Sequence, residues 1–236
     1  MFGCGQDNKD FIGTFDGFLG LSNDQISMVS QTSSRFGRYF SYCLPTSVAS
    51  KGFLTFGNSS IRGPNPATLG YTPLVTVPQS SSFYGIKIIG ISVGGTPLPP
   101  LSSKVLVNSS AMIDSGTVIS RLPPTVYHAL SSAIRKSLAN YTMVPAVSIF
   151  DTCYDFSKVQ TIPDPKIAIS FSGGVTIDLD VSGIYFAGSL SQVCLAFAAN
   201  SADSDLVIYG NTQQKTFEII YDVAGRKLGF SPKGCS

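Results

Sequence analysis

The sequence predicts a mainly β protein. Runs of four to nine residues rich in β-branched and aromatic side chains recur along it, each bounded by Gly, Pro, Asn or Ser. Turn-forming residues are abundant, with 34 Ser, 23 Gly and 14 Pro among 236 residues. Only one long segment carries a convincing helical period.

In chain order, Ser22, Asn23 and Asp24 offer capping side chains for a short helical turn. Phe53 to Phe56 and residues 84–91 read as strands. Residues 91–96 look like a hairpin with Gly94-Gly95 at its tip. The stretch from Thr96 to Pro100 is too rich in proline to be helical. Residues 105–113 are expected to form a strand. The one good helix covers about 124–140: Tyr127, Leu130, Ile134 and Leu138 fall on one face, and Pro123 and Pro124 stand at the entry, where proline costs least. Further strands are expected at 166–171, 175–179 and 217–221, with a second capped turn after Asn211.

Composition narrows the function. Charged residues make up 13%, against an average near 25%, so a solvated disordered chain is excluded. The net charge of +2 and the lack of basic runs leave no nucleic-acid or anionic-membrane signature. With a single His, no zinc site built on two or three histidines is possible, and no metal or cofactor is expected. No run of 18 apolar residues suggests a transmembrane helix. The first residues carry no signal-peptide pattern. Cys4, Cys43, Cys153, Cys194 and Cys235 are too widely spaced for a C-x-x-C redox or zinc motif and suit structural disulfides. Sequons at Asn58, Asn108 and Asn140 also fit a secretory compartment. Secretory features without a signal, together with an odd cysteine, lead us to expect a missing N-terminal part. A change in composition near residue 80 divides the chain.

Two motifs compete for the chemistry. Gly90-Ile91-Ser92-Val93-Gly94 matches the nucleophile elbow of serine hydrolases literally, and Asp114 and His128 follow in hydrolase order. An elbow needs a helix directly after its strand, and the proline-rich stretch argues against one. Ser92 therefore reads as a hairpin residue and His128 as a partly exposed helix residue. The second motif is Asp114-Ser115-Gly116-Thr117, set between the apolar runs 111–113 and 118–119. A carboxylate there is costly to bury unless hydrogen bonds hold it, and Ser115, Thr117 and nearby N–H groups are suitable donors. The bland alternative is an ordinary Asp-Ser-Gly turn.

Ile113 to Thr117, then Leu122-Pro123 and Tyr127, resembles the second active-site segment of pepsin-type aspartic proteases. Phe2-Gly3-Cys4-Gly5, Asp16 to Leu21, Phe40 to Leu44, Gly90 to Gly95, Asp151 to Ser157, Cys194 to Phe197, Ile208 to Asn211, and the ending through Gly229-Phe230 and Cys235 sharpen the likeness to the plant nepenthesin-like branch. The resemblance implies a pepsin-like acid protease fold: residues 1–80 as a remnant of the N-terminal lobe and 81–236 as a complete C-terminal lobe. It implies an aspartic-type endopeptidase in which Asp114 is one of two catalytic carboxylates. Ser115, Gly116 and Thr117 would support it, and Gly20 and Gly210 would lie in loops crossing behind the catalytic turns. It implies disulfides Cys43–Cys235 and Cys153–Cys194, with Cys4 left over. It also implies a peptide or protein substrate for the full-length form, no cofactor, a monomer, and a secretory or extracellular location, with the plastid as the alternative. The family's other catalytic carboxylate lies in an Asp-Thr-Gly segment, and this sequence has none. The chain alone is therefore expected to be inactive. The alternative within the same fold is a non-catalytic secreted protein resembling xylanase inhibitors.

Overall fold

The structure, a computed structural model, describes residues 17–47, 49–57, 69–79 and 81–232. Strands dominate it, arranged in four sheets. One five-stranded antiparallel sheet has the spatial order Phe53–Phe56, Tyr39–Cys43, Glu218–Asp222, Lys227–Ser231, Gly70–Pro73. Segments from the two ends of the chain are thus direct neighbours: Phe40 pairs with Tyr221, and their rings stack with centroids 4.3 Å apart. The expected division near residue 80 is bridged by this sheet.

A second sheet carries the predicted hairpin. Ile88–Val93 turns into Thr96–Pro97 through Gly94 and Gly95, both at positive φ (57° and 77°), a conformation open to glycine at little cost. Ile167–Phe171 and Val175–Asp178 complete the sheet, and Ile167, Ile169 and Phe171 alternate into the core. Ser92 lies inside the Ile88–Val93 strand, opposite Ala168 and Pro97, and His128 is exposed on a helix, so the elbow arrangement is absent.

Two expectations fail here. Residues 105–113 are not one strand: Pro100–Asn108 is an α-helix, and only Ala111–Ile113 is extended. Pro99 caps that helix and Pro100 opens it, so the last proline of the stretch judged non-helical is the first helical residue. The reason is positional. A first-turn residue has no intrahelical use for its N–H, so proline loses nothing there. Ser102 and Leu106 then turn one face inward.

The long helix is Pro124–Ser137, shorter at its end than expected. Val126, Tyr127, Leu130 and Ile134 are buried along one face. Its first turn is capped from a distant loop: Asp203 accepts from the Thr125 N–H at 2.9 Å and from the Thr125 hydroxyl at 2.5 Å. Cys153 and Cys194 face each other across paired strands and form a disulfide, with Cα atoms 4.0 Å apart. Cys43 is also disulfide-bonded. Its expected partner Cys235, together with Cys4 and Asn58, lies outside the described residues. Asn108 and Asn140 are exposed.

Candidate active site

A further five-stranded sheet places the site. Its order is Phe197–Ala199, Ser120–Leu122, Val207–Tyr209, Ala111–Ile113, Gly85–Ile86. Val207–Tyr209 lies between two strands that follow one another in sequence, and it runs parallel to Ala111–Ile113. The 114–119 connection must therefore cross over the end of that central strand. Asp114 begins the crossing, its N–H still donating to the Tyr209 carbonyl at 3.1 Å. Asn211 and Thr212 donate backbone N–H bonds to Thr117 O (2.7 Å) and Val118 O (2.9 Å), closing the crossing from the other side.

Gly210 stands at the crossing point, where a Cβ would lie 2.4 Å from the Ile119 carbonyl carbon and 2.6 Å from its oxygen. No other residue fits there. Gly20, expected to play the same part in another crossing, would bring its Cβ within 4 Å of nothing, and no described segment crosses it.

The Asp114 carboxylate is held through both oxygens. Gly116 N–H donates to one at 2.8 Å and the Thr117 hydroxyl to the other at 2.5 Å. Ser115 departs from expectation: its side chain contacts the Tyr42 hydroxyl, while Asn211 donates to its carbonyl at 3.0 Å. Asp114 is half-buried and opens onto a cavity of about 400 Å³. Leu19, Leu21, Phe40, Phe83 and Met112 give the cavity apolar walls, and Asp114 is the one acid among its lining residues. A carboxylate fixed in this way can bind and orient a water molecule or exchange a proton with a ligand. No described residue offers it a second carboxyl partner.

Four residues that build the site escaped the sequence reading. Gln213, fully buried, accepts from the Ser120 N–H (3.1 Å) and hydroxyl (2.6 Å) and donates to the carbonyls of Gly183 (2.8 Å) and Ala196 (3.0 Å). Ser120 in turn accepts from Gly210 N–H at 3.0 Å. Gln214, also fully buried, donates to Tyr209 O (3.0 Å) and Asp114 O (3.3 Å) and accepts from the Tyr42 hydroxyl at 2.5 Å. Burial foremost, and also the negative charge of Asp114, pushes the Tyr42 phenol up, so it remains a donor. The available signal was the polar run Asn211 to Gln214 directly after an apolar strand.

Two family models match the chain: "Xylanase inhibitor C-terminal" over residues 83–232 and "Xylanase inhibitor N-terminal" over residues 1–58. An aspartyl protease family protein of Arabidopsis thaliana is 46% identical over 100% of this chain and 48% of its own length. Nepenthesin-2 of Nepenthes gracilis, an aspartic proteinase, is 31% identical over 99% of this chain and 53% of its own. The chain belongs to the plant pepsin-type aspartic protease-like family. Soybean basic 7S globulin superimposes with a TM-score of 0.79 at 23% identity, covering 95% of this chain and 59% of the globulin. This family member accordingly has the pepsin-like fold, and it spans about half the length of the curated relatives it matches.

Proposed function

We propose that this chain carries one carboxylate half of an aspartic endopeptidase site, with Asp114 as the catalytic carboxylate, Gly116 and Thr117 holding its oxygens, and Ser115 and Gly210 fixing the loop around it. The observation that carries the reading is the Asp114 carboxylate, held through both oxygens and facing an apolar-walled cavity. Aspartic proteolysis needs two carboxylates about 3 Å apart that share one proton. The ionised member takes a proton from a water held between them, the water attacks the peptide carbonyl, and the protonated member donates to the developing oxyanion. The two titrate as a unit. The sequence has no Asp-Thr-Gly segment to supply the second member. In this proposal residues 1–80 belong to the first lobe and 81–236 to the second, and the full-length form takes peptides or proteins in the cleft between them.

The test is peptide cleavage at acidic pH. The 236-residue chain alone is expected to show none, because the two carboxylates act as one unit and the absence of one costs nearly all of the activity. Joined to the N-terminal half of its Arabidopsis relative, it is expected to cleave, and Asp114→Asn should abolish that cleavage. Cleavage by the chain alone that survives Asp114→Asn, or a joined protein that folds without cleaving, would overturn the reading.

The names of the matching family models favour a second reading, a non-catalytic protein that binds a glycoside hydrolase. Inhibition of a xylanase by the chain at stoichiometric concentration would establish it. The held carboxylate favours the peptidase, since an inhibitor has no need of one. For either reading we propose a monomer in the secretory pathway or outside the cell, with the plastid as the alternative. It would need no cofactor, bind no nucleic acid, and be glycosylated at Asn58, Asn108 and Asn140. No helix among the described residues is long and apolar enough to cross a membrane.

A further inference from the structure

The geometry points to a pocket for a carboxylate ligand between Arg38, Arg226 and Tyr84, separate from the Asp114 cavity and independent of the proteolytic reading. The pocket, about 280 Å³, lies where the start of Tyr39–Cys43 meets the loop between Glu218–Asp222 and Lys227–Ser231. Backbone bonds tie these pieces together: Val223 N–H donates to Arg38 O at 3.2 Å and Leu74 N–H to Arg226 O at 2.9 Å. Both arginines hold left-handed backbone conformations, φ 54° and 53°. Such positions persist only where the surroundings hold them.

Two buried donors at the pocket lack acceptors. Arg38 gives one Nη2 bond to the Asn23 side-chain oxygen at 2.5 Å, but its buried Nε has no partner. Tyr84 is only 8% exposed, and its hydroxyl also has no partner. Neither arginine makes an ion pair among the described residues, and no acid lines the pocket. The nearby carboxylates are already engaged. Asp222 accepts from Gly225 N–H and pairs with Lys227, and Asp24 accepts from Ile26 N–H and the Ser82 hydroxyl. Buried donors of this kind in native proteins find partners, and a carboxylate entering the pocket would accept from both.

A guanidinium fork matches a planar carboxylate. Leu74, Val75, Phe83 and Val223 supply apolar walls that suit a short methylene stem rather than a hydrated inorganic ion. Two sources present that chemistry: a free small carboxylic acid, or the acidic side chain of another polypeptide segment. Phe83 and Tyr84 also wall the Asp114 cavity, so an occupant would touch the partition between the two sites.

The test is titration of the full 236-residue chain at low salt, followed by NMR at the arginine Nε–H groups. The probes are butyrate, its neutral isostere butyramide, inorganic phosphate, and the blocked peptides Gly-Glu-Gly and Gly-Gln-Gly. Butyrate and the Glu peptide are expected to saturate, and butyramide and the Gln peptide are not. Stronger binding of the Glu peptide than of butyrate identifies a polypeptide source, and equal binding a free acid. Tyr84→Phe keeps the ring contacts with Phe40 and Tyr221, and Arg226 is exposed, so both Tyr84→Phe and Arg226→Gln should fold. Each is expected to weaken butyrate binding about tenfold, the worth of one charge-assisted hydrogen bond. Equal binding of butyramide, preference for phosphate over butyrate, unchanged affinity in both variants, or no saturation by about 50 mM would each overturn the assignment.

Discussion

Replacing Gln213 by Glu tests the crossing with an almost isosteric change. The side-chain amide sits in a closed set of four hydrogen bonds: it accepts two from Ser120 and donates two, to Gly183 O at 2.8 Å and Ala196 O at 3.0 Å. In Gln213→Glu the accepting oxygen stays, and the amide nitrogen becomes an oxygen facing two carbonyls. Protonated, the new carboxyl can donate to only one of them, a loss of about 1–3 kcal/mol. Ionised, it donates to neither and stands desolvated against two like dipoles. Its folded-state pKa must therefore rise above the unfolded value of about 4.3, by about 3–5 units for a fully buried group. A group with a raised folded pKa loses stability as pH climbs from its unfolded pKa to its folded one. At about 1.36 kcal/mol per unit, a five-unit shift costs about 7 kcal/mol only above about pH 9; by about pH 7.5 the added cost is about 4 kcal/mol, on top of the lost hydrogen bond. That rivals a typical total stability of about 5–15 kcal/mol. The assay is urea unfolding of wild type and variant at about pH 4 and about pH 7.5. Destabilisation should be modest in acid and severe near neutrality, with Gln213→Glu largely unfolded at the higher pH. An equal loss at both pH values would show that the position is solvated or the carboxylate otherwise paired, and the argument would fail.

Gly210→Ala puts a methyl group 2.4–2.9 Å from backbone atoms of Ile119 and Ser120, which cannot swing aside. A loss of about 3 kcal/mol or more is expected, at the upper end of overpacking costs, and a loss in unfolding free energy below about 1 kcal/mol, from urea unfolding, would refute the crossing geometry. Alkaline titration followed by tyrosinate absorbance should be incomplete below unfolding. Burial is the main cause that raises Tyr84 to about 12 and pushes Tyr42, Tyr209 and Tyr221 up as well. These groups favour the fold fully below the unfolded pKa of about 10, and that stability is lost as pH rises above it, so their absorbance should appear together with loss of circular dichroism. A smooth titration of all ten tyrosines in a folded chain would contradict their burial.

The sequence by itself determined what depends on near neighbours. The Gly94-Gly95 hairpin, the buried face of Pro124–Ser137, and the turn chemistry that lets Gly116 and Thr117 hold Asp114 are set by residues within a few positions of one another. Local pattern misled where two states share it. Val105 and Val107 suggest a strand, but the prolines before them and the inward face of Ser102 and Leu106 make Pro100–Asn108 a helix. Tertiary structure alone decided the rest. Tyr39–Cys43 finds its partner in Glu218–Asp222, and nothing local specifies a pairing across that much chain. Hydrophobic patterning gives no sign that Gln213 and Gln214 are buried, because their burial depends on acceptors and donors that Ser120, Gly183, Ala196 and Tyr42 bring from remote segments. A buried amide is stable only where the fold has already assembled its partners. That is why the carboxylate could be read from the sequence and the scaffold that holds its loop could not.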